Sequence, residues 1–195
     1  MTVVLKTSHH HGNLRAGLVE AGIEILESEG LDALSLRKCA ARAGVSHAAP
    51  AHHFDGVAGL REAIATEGFQ RFGAAMLREA APEQDPRARL KAICRGYLAF
   101  AREAPALYRL MFSTGMRSQP DAHLAHGPSS AYGILREFCA PFVPEGTEPT
   151  VIETQVWALC HGYALFILHG IVPDSPALDT AVLDLVERIG AAPAS

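Results

Sequence analysis

The sequence lacks the features that define several large protein classes. No apolar run approaches the ~20 residues of a membrane-spanning helix, and MTVVLKTSHHHG has neither the basic start nor the apolar core of a signal peptide. Nucleophile elbows, phosphate-binding loops and paired-carboxylate motifs are also absent, which argues against an enzyme. We therefore expect a cytoplasmic protein with no membrane partner, no cofactor and no bound metal.

Cysteine pairs and strand patterns are equally scarce. Cys39, Cys94, Cys139 and Cys160 are far apart, without a C-x-x-C pair, so we expect reduced and buried thiols. Alternating β-branched runs are few, although 49% of the 195 residues are apolar. A chain of this length buries one substantial core or two modest ones. The pattern predicts an all-α fold.

Residues 35–54, SLRKCAARAGVSHAAPAHHF, carry the most informative pattern that is present. Ser35 is a good N-cap for a helix over 36–43, and Gly44 suits its end. Ser46 then caps a second short helix, in which Pro50 predicts a loose or 3₁₀-like opening turn. Two short helices around A-G-V-S predict a helix-turn-helix unit that reads DNA, although such units also serve as plain packing elements.

The segments on either side extend this unit. Residues 13–30 form an amphipathic pattern that Asn13 caps and Gly30 ends, and residues 60–78 predict another long helix. Together they predict a three-helix DNA-reading head on a helical stalk. Further helices are expected over 87–103, 106–112, 148–169 and 177–189, with another through Tyr132.

Residues 9–60 resemble the N-terminal domain of the TetR family of one-component regulators. The resemblance rests on HHGNLR at 10–15, GLDALS at 30–35, AARAGVS at 40–46, His53-Phe54 and Leu60. Near the other end, WALCHG at 157–162 resembles the Trp-x-x-x-His-Gly signature of one C-terminal subclass. The resemblance implies a helix-turn-helix domain over 1–58, and a ligand-binding and dimerisation domain over 59–195 whose first helix is the connecting stalk.

The implied function is a repressor that a small apolar or amphipathic ligand releases from double-stranded operator DNA. Two positions depart from the family pattern, because Ala51 and Val57 stand where the family usually has tyrosine and lysine. By the resemblance, both usual residues contact DNA phosphates. Their loss predicts weaker DNA binding that depends less steeply on salt.

The candidate DNA contacts lie on the two short helices. We expect the basic residues to contact the DNA backbone, and the second helix to contact base edges or nearby groups. The full set of candidates is Arg37, Lys38, Arg42, Ser46, His47, Ala48 and His52. His53 and Phe54 are expected to pack instead. Residues 1–56 carry five basic and six acidic side chains but six of the ten histidines, so we expect tighter DNA binding at pH 6 than at pH 8.

The second half carries the candidate ligand pocket and dimer surface. The resemblance implies a cavity, for which the aromatic and polar candidates are Tyr97, Phe100, Tyr108, Met111, Phe112, Tyr132, Trp157 and His161. The last two predicted helices are apolar on more than one face, which predicts a homodimer interface. Its candidate residues are Val156, Leu159, Tyr163, Phe166 and Ile167. The alternative is a helix wholly internal to a monomer.

Two other functions compete with this interpretation. His123-x-x-His126 has the spacing of helical metal ligands and suggests a metal-responsive regulator with His161 or a cysteine as a further ligand. The other competitor is a helical ligand-binding protein whose DNA binding has weakened.

Overall fold

The computed structural model describes residues 14–113 and 130–190. Within those ranges every regular element is helical, which confirms the all-α prediction. The α-helices are α1 Leu14–Glu29, α2 Leu36–Arg42, α3 Gly56–Ala80, α4 Pro86–Glu103, α5 Pro105–Met111, α6 Ala131–Cys139, α7 Pro149–Leu168 and α8 Pro176–Leu183. The chain forms two compact units, one ending at Glu67 and one beginning at Gly68, so that the division falls within α3.

The first unit is built on α1. Its buried side chains include Leu18, Ile25 and Leu26, which recur at helical spacing and face the rest of the unit. At Gly22 a Cβ atom would lie 2.6 Å from Cδ1 of Ile64. The glycine therefore allows the start of α3 to pack closely on α1.

The first helix of the helix-turn-helix segment forms as its N-cap and its terminating glycine predict. The Ser35 side chain accepts a hydrogen bond from the Lys38 amide at 3.2 Å. Beyond α2 the Val45 amide donates to the Ala40 carbonyl at 3.0 Å, and Gly44 has a φ of 69°. This is the glycine-terminated helix end in which a left-handed residue reverses the chain.

The second helix of that segment differs from the prediction. Only a 3₁₀ turn forms, over Ala49–His52, and the side chain of Ser46 does not cap it. The carbonyl of Ser46 instead accepts from the Ala49 amide at 3.1 Å. Pro50 has no N–H with which to continue an α-helical ladder. The predicted loosening of the opening turn therefore extends over the whole short helix.

The second unit packs the later part of α3 with α4, α6 and α7. Its fully buried side chains include Phe72, Ile93, Tyr108 and Val156. The crossing of α3 and α4 is close at Gly96, where a Cβ atom would lie 2.6 Å from the Ala75 carbonyl oxygen. A side chain at that position would force the two helices apart.

Basic residues of α4 hold the C-terminal segment. Lys91 Nζ lies 2.8 Å from Asp184 and 2.7 Å from Glu187, and the guanidinium of Arg102 donates to both oxygens of Asp179. That segment was predicted to be one helix over 177–189. It is α8 followed by a 3₁₀ turn over Asp184–Arg188, so the regular helix ends earlier than its apolar spacing indicates.

Helix α7 is long and apolar enough, by length and composition alone, to cross a membrane. This corrects the expectation that no segment approaches that length. One third of its most apolar window is buried against other helices of the second unit. A single such helix is weak evidence for a membrane span, because core helices of water-soluble proteins pass the same test.

Candidate functional sites

The predicted DNA contacts of the first unit lie at its surface. Arg37, Arg42, Ser46, His47, Ala48 and His52 are exposed, and Lys38 is half-buried. None of these side chains is buried in the core of the unit. Their accessibility is consistent with the prediction, which it does not test.

Two of the three candidate cations are already paired. The ammonium of Lys38 contacts the carboxylate of Glu29, and the guanidinium of Arg42 donates to the other oxygen of Glu29 at 2.9 Å. Chiefly because of the Lys38 hydrogen bond, the pKa of Glu29 is lowered. Among the described residues Arg37 has no ion pair. The sequence placed the acids on the first helix but did not show that Glu29 meets α2.

His53 and Phe54 were both expected to pack. Phe54 is 6% exposed and lies under the guanidinium of Arg15, 5.4 Å from the ring centroid. His53 is exposed, and its ring centroid lies 6.4 Å from that of Phe54. The prediction for His53 is wrong because the 3₁₀ turn before it ends with this side chain directed to solvent.

Three polar side chains meet inside the second unit. Nδ1 of His161 lies 2.8 Å from the Tyr97 hydroxyl and 2.7 Å from the Tyr108 hydroxyl, and the two hydroxyls are 3.0 Å apart. We call these three residues the hydroxyl–imidazole cluster. A neutral imidazole with its proton on Nε2 accepts one hydroxyl proton, while the second hydroxyl donates to the first. This arrangement satisfies Nδ1 and both hydroxyl protons within the cluster.

Burial shifts the ionisation of this cluster. It lowers the pKa of His161, and it raises the pKa values of Tyr97 and Tyr108. All three shifts favour the uncharged form, as expected for groups removed from water. At neutral pH the cluster therefore presents hydroxyl and imidazole dipoles rather than charges.

Aromatic rings surround the cluster. The Phe112 ring centroid lies 4.7 Å from that of His161, and the Phe72 centroid lies 4.7 Å from that of Tyr97. A cavity of about 10 Å³ adjoins them, lined by Phe72, Met76, Ile93, Cys94, Tyr97, Leu135, Val156, Trp157 and Cys160. That volume is roughly one water molecule, so a ligand can enter only if side chains move.

The structure brings together five of the eight predicted pocket residues. Tyr97 and Trp157 line the cavity, while Tyr108, Phe112 and His161 lie against them. Phe100 is a core residue that packs on Phe72, and Met111 lies against the backbone of α3 at Gly68. Sequence reasoning missed Cys94 and Cys160, which it took as unspecific buried thiols.

Tyr132 belongs to a second, more open pocket. This pocket has a volume of about 230 Å³ and is lined by Tyr132, Glu153, Thr154, Trp157 and Ala158. Glu153 is 2% exposed and accepts a hydrogen bond from the Tyr132 hydroxyl. That contact is the first cause of the raised pKa of Tyr132. Sequence reasoning also missed Glu153, because a glutamate on an amphipathic helix ordinarily faces solvent.

The predicted dimer surface is only partly exposed. Phe166 is 48% exposed, and Leu159 and Ile167 are half-buried. Val156 and Tyr163 are 1% and 6% exposed, so both lie in the core of their own chain. The Tyr163 hydroxyl donates to Asp179 at 2.7 Å, and burial is the first cause that raises its pKa to about 12. The exposed face of α7 therefore excludes these two residues.

The suggested metal site cannot be followed in the structure. His123 and His126 lie outside the described residues. Within the described ranges no group of histidine, cysteine or acidic side chains could hold a metal ion. His161, the proposed further ligand, contacts the two tyrosine hydroxyls instead.

Comparison with known proteins decides the family. Residues 18–64 match the model of the bacterial regulatory proteins of the tetR family, and residues 90–189 match that of the tetracyclin repressor-like C-terminal domain. The second match alone covers half of the chain. The chain belongs to the TetR family. The resemblance of the N-terminal residues is thereby confirmed and a TetR-type C-terminal domain is found, whereas the Trp-x-x-x-His-Gly subclass is not confirmed.

Solved structures share this TetR fold. A protein of unknown function from Rhodococcus sp. RHA1 is 29% identical, with 95% of this chain and 97% of that chain covered and a TM-score of 0.73. A TetR family transcription regulator from Marinobacter aquaeolei VT8 is 15% identical, with 90% and 94% covered and a TM-score of 0.63. FadR from Bacillus subtilis, solved in complex with stearoyl-CoA, is 14% identical, with 88% and 96% covered and a TM-score of 0.69. Comparison with curated proteins found no match.

Membership of the TetR family fixes the general function. The protein is a transcription regulator with a DNA-binding helix-turn-helix domain, and the family binds operator DNA, dimerises and takes small ligands. Such regulators are typically cytoplasmic and generally are not enzymes. The two departures from the family pattern lie at different depths, since Ala51 is exposed and Val57 is half-buried.

Proposed function

We propose that the protein is a homodimeric repressor that leaves its operator when a small ligand binds in the second unit. The observation that carries the proposal is the continuity of α3. This helix runs unbroken over Gly56–Ala80, beginning two residues after Phe54, and its residues Phe72 and Met76 line the small cavity. A change at the cavity therefore acts on the helix that leads directly from the helix-turn-helix segment.

The DNA side of the proposal rests on a sparse set of contacts. Arg37, Lys38 and Arg42 are assigned to the phosphate backbone, and His47, Ala48 and His52 to base edges or nearby groups. Ser46, at the start of this segment, remains a DNA-binding candidate. Ala51 and Val57 provide neither of the family's usual phosphate contacts. We expect modest affinity whose specific part comes from the 3₁₀ turn and its neighbours.

The ligand side rests on the closed state of the cavity. Because only about 10 Å³ is empty, an apolar or amphipathic ligand has to displace rings such as Phe72 or Trp157. Such a ligand binds an opened conformation better than the closed one, which is the condition for shifting a two-state equilibrium. The functional division at 58/59, with α3 as the connecting helix, belongs to this proposal.

The dimer side rests on the exposed faces of α7 and α8. Leu159, Phe166 and Ile167 remain as interface candidates once the buried Val156 and Tyr163 are set aside. A two-fold dimer presents two reading heads to two half-sites. The oligomeric state in solution is measured by sedimentation, with Phe166→Glu expected to dissociate the dimer.

DNA binding tests the proposal. The protein is titrated with DNA from the upstream region of its own gene, and with a scrambled duplex, over a salt series at pH 6 and pH 8. We expect tighter binding to the upstream DNA, with the larger affinity at pH 6. Equal affinity for both duplexes would overturn the repressor proposal and favour a ligand-binding protein with weakened DNA binding.

A further inference from the structure

The pocket beside Trp157 contains a buried carboxylate that forms no ion pair with a described residue. Glu153 is the buried charged residue of the described chain, and its hydrogen-bond partner there is the neutral hydroxyl of Tyr132. Among the described residues no lysine, arginine or histidine forms an ion pair with it. Removing a carboxylate from water is costly unless an opposite charge compensates it.

A charged groove elsewhere in the second unit shows the contrasting case. That groove, of about 330 Å³, is lined by residues of α4 and α8 and by Glu79 and Asp184. Its carboxylates are matched by the chain's own cations, such as Asp184 by Lys91 and Asp179 by Arg102. Glu153, in contrast, has no ion-pair partner among the described residues.

The remaining walls of the Glu153 pocket suit a positive charge as well. The Tyr132 and Trp157 ring centroids lie 6.1 Å apart with their planes at 53°, and both rings border about 230 Å³ of open space. Aromatic faces attract cations, most strongly where water is excluded. None of the described residues that line the pocket is basic, so these walls supply no positive charge for an anion.

We propose that the pocket formed by Tyr132, Glu153 and Trp157 binds a small organic cation, an ammonium group attached to an apolar body. The ammonium lies against the carboxylate and the two rings, and the apolar part lies along α7. The inference rests on the proposed function only in treating this pocket as an effector site. Binding of the cation itself does not require DNA.

Trp157 connects this pocket to the closed cavity. The same indole lines both, so a ligand that moves it also changes the packing around Phe72 and Met76 on α3. A cation in the open pocket would thereby alter the packing of α3, the helix that the proposed function links to ligand binding. Thr154 and Ala158, which also line the pocket, are exposed on α7, next to the face assigned to the second copy.

Trp157 is the single tryptophan of the chain, so its fluorescence reports on the pocket directly. The full-length protein is titrated at constant ionic strength with benzyltrimethylammonium and, separately, with its neutral carbon isostere neopentylbenzene. Glu153→Gln removes the charge and keeps an acceptor for the Tyr132 hydroxyl. Glu145→Gln makes the same change of charge on an exposed loop and serves as the matched control.

We expect saturable binding of the cation to the wild type and to E145Q, about tenfold tighter than binding of the neutral isostere, equivalent to ~1.4 kcal/mol. In E153Q that preference is lost while the affinity for the isostere is unchanged. Calorimetry on the same samples detects binding that leaves the fluorescence unaltered. Equal affinity for cation and isostere, an unchanged preference in E153Q, or no binding by either method overturns the inference.

The DNA titration of the same preparations, without any probe, separates the two proposals. Cation binding without selectivity for the upstream DNA would overturn the repressor proposal and leave the cation site standing. Selective DNA binding without cation preference would do the reverse. Both results are read from the wild type alone, so neither depends on the folding of a variant.

Discussion

The candidate sites of the two units satisfy their polar groups in opposite ways. In the first, Lys38 and Arg42 share the carboxylate of Glu29 at the surface. In the second, the hydroxyl–imidazole cluster is satisfied internally and enclosed by aromatic rings. Surface ion pairs contribute little and are readily exchanged, whereas a buried polar group left without a partner is costly. Under the proposed function, Lys38 and Arg42 would exchange Glu29 for a DNA phosphate, whereas the enclosed cluster favours a single conformation.

The largest effect is expected from breaking the enclosed region. Phe72→Ala removes a fully buried ring that contacts Tyr97 and Phe100, and should lower the free energy of unfolding by ~3–5 kcal/mol. His52→Ala, on the exposed reading surface, should change it by no more than about 0.5 kcal/mol. Urea unfolding measures both. Leu77→Ala, on the exposed side of the same helix, is the control. Equal losses of unfolding free energy in Phe72→Ala and Leu77→Ala would contradict the expected difference between enclosed and exposed positions.

A smaller effect is expected from removing one hydroxyl of the cluster. In Tyr108→Phe the ring stays, and the Tyr97 hydroxyl keeps His161 Nδ1 within hydrogen-bond distance at 2.8 Å, so the loss should be about 1 kcal/mol. His161→Leu removes the nitrogen acceptor, which leaves one hydroxyl proton of the cluster without a partner there, and should cost more. Thermal and urea unfolding of the two variants give the comparison. A larger loss for Y108F than for H161L would show that the imidazole is not the centre of the cluster.

The surface arrangement is tested through DNA affinity. Glu29→Gln frees Lys38 and Arg42 for phosphates, so binding should tighten several-fold and the slope of log affinity against log salt should steepen by about one to two. Glu62→Gln makes the same change of charge at another exposed position of the first unit. Weaker binding by E29Q would mean that Glu29 orients the two cations for DNA instead of competing with it.

The smallest effect is expected from pH. Because burial lowers the pKa of His161 below its ordinary value of 6.5, the unfolded chain takes up a proton there before the folded chain does. The contribution of neutral His161 to the free energy of unfolding is complete above pH 6.5. It decreases as the pH falls towards the pKa of His161 in the folded protein. The wild type should therefore lose more unfolding free energy between pH 7 and pH 5 than His161→Gln. A parallel loss in both proteins would assign the pH dependence to other groups.

Local signals predicted the parts of the fold that local interactions determine. Ser35 and Gly44 bracket α2 because a cap and a left-handed residue act within a few positions. Pro50 predicted a loose turn but not the loss of the whole helix from Ser46. That outcome depends on what the neighbouring elements stabilise, and spacing along the chain does not contain it.

The candidate site could be predicted only in outline. Helix α7 is apolar nearly all round, so periodicity could not show that Val156 and Tyr163 point inward while Phe166 points outward. Glu153 meets Tyr132 across 21 positions, and Glu29 meets Arg42 across 13. Such pairings arise from packing between helices. A single sequence contains no signal for them.

The close crossing at Gly96 is a point about which α3 can rotate against α4. At that point the backbones of α3 and α4 meet without a side chain between them, at Ala75 and Met76. From Ala75 back to Gly56 an α-helix measures ~28 Å at 1.5 Å per residue. Under the proposed function, a rotation of about 5° at the crossing would carry the start of α3 through ~2.5 Å, a distance comparable to a hydrogen bond.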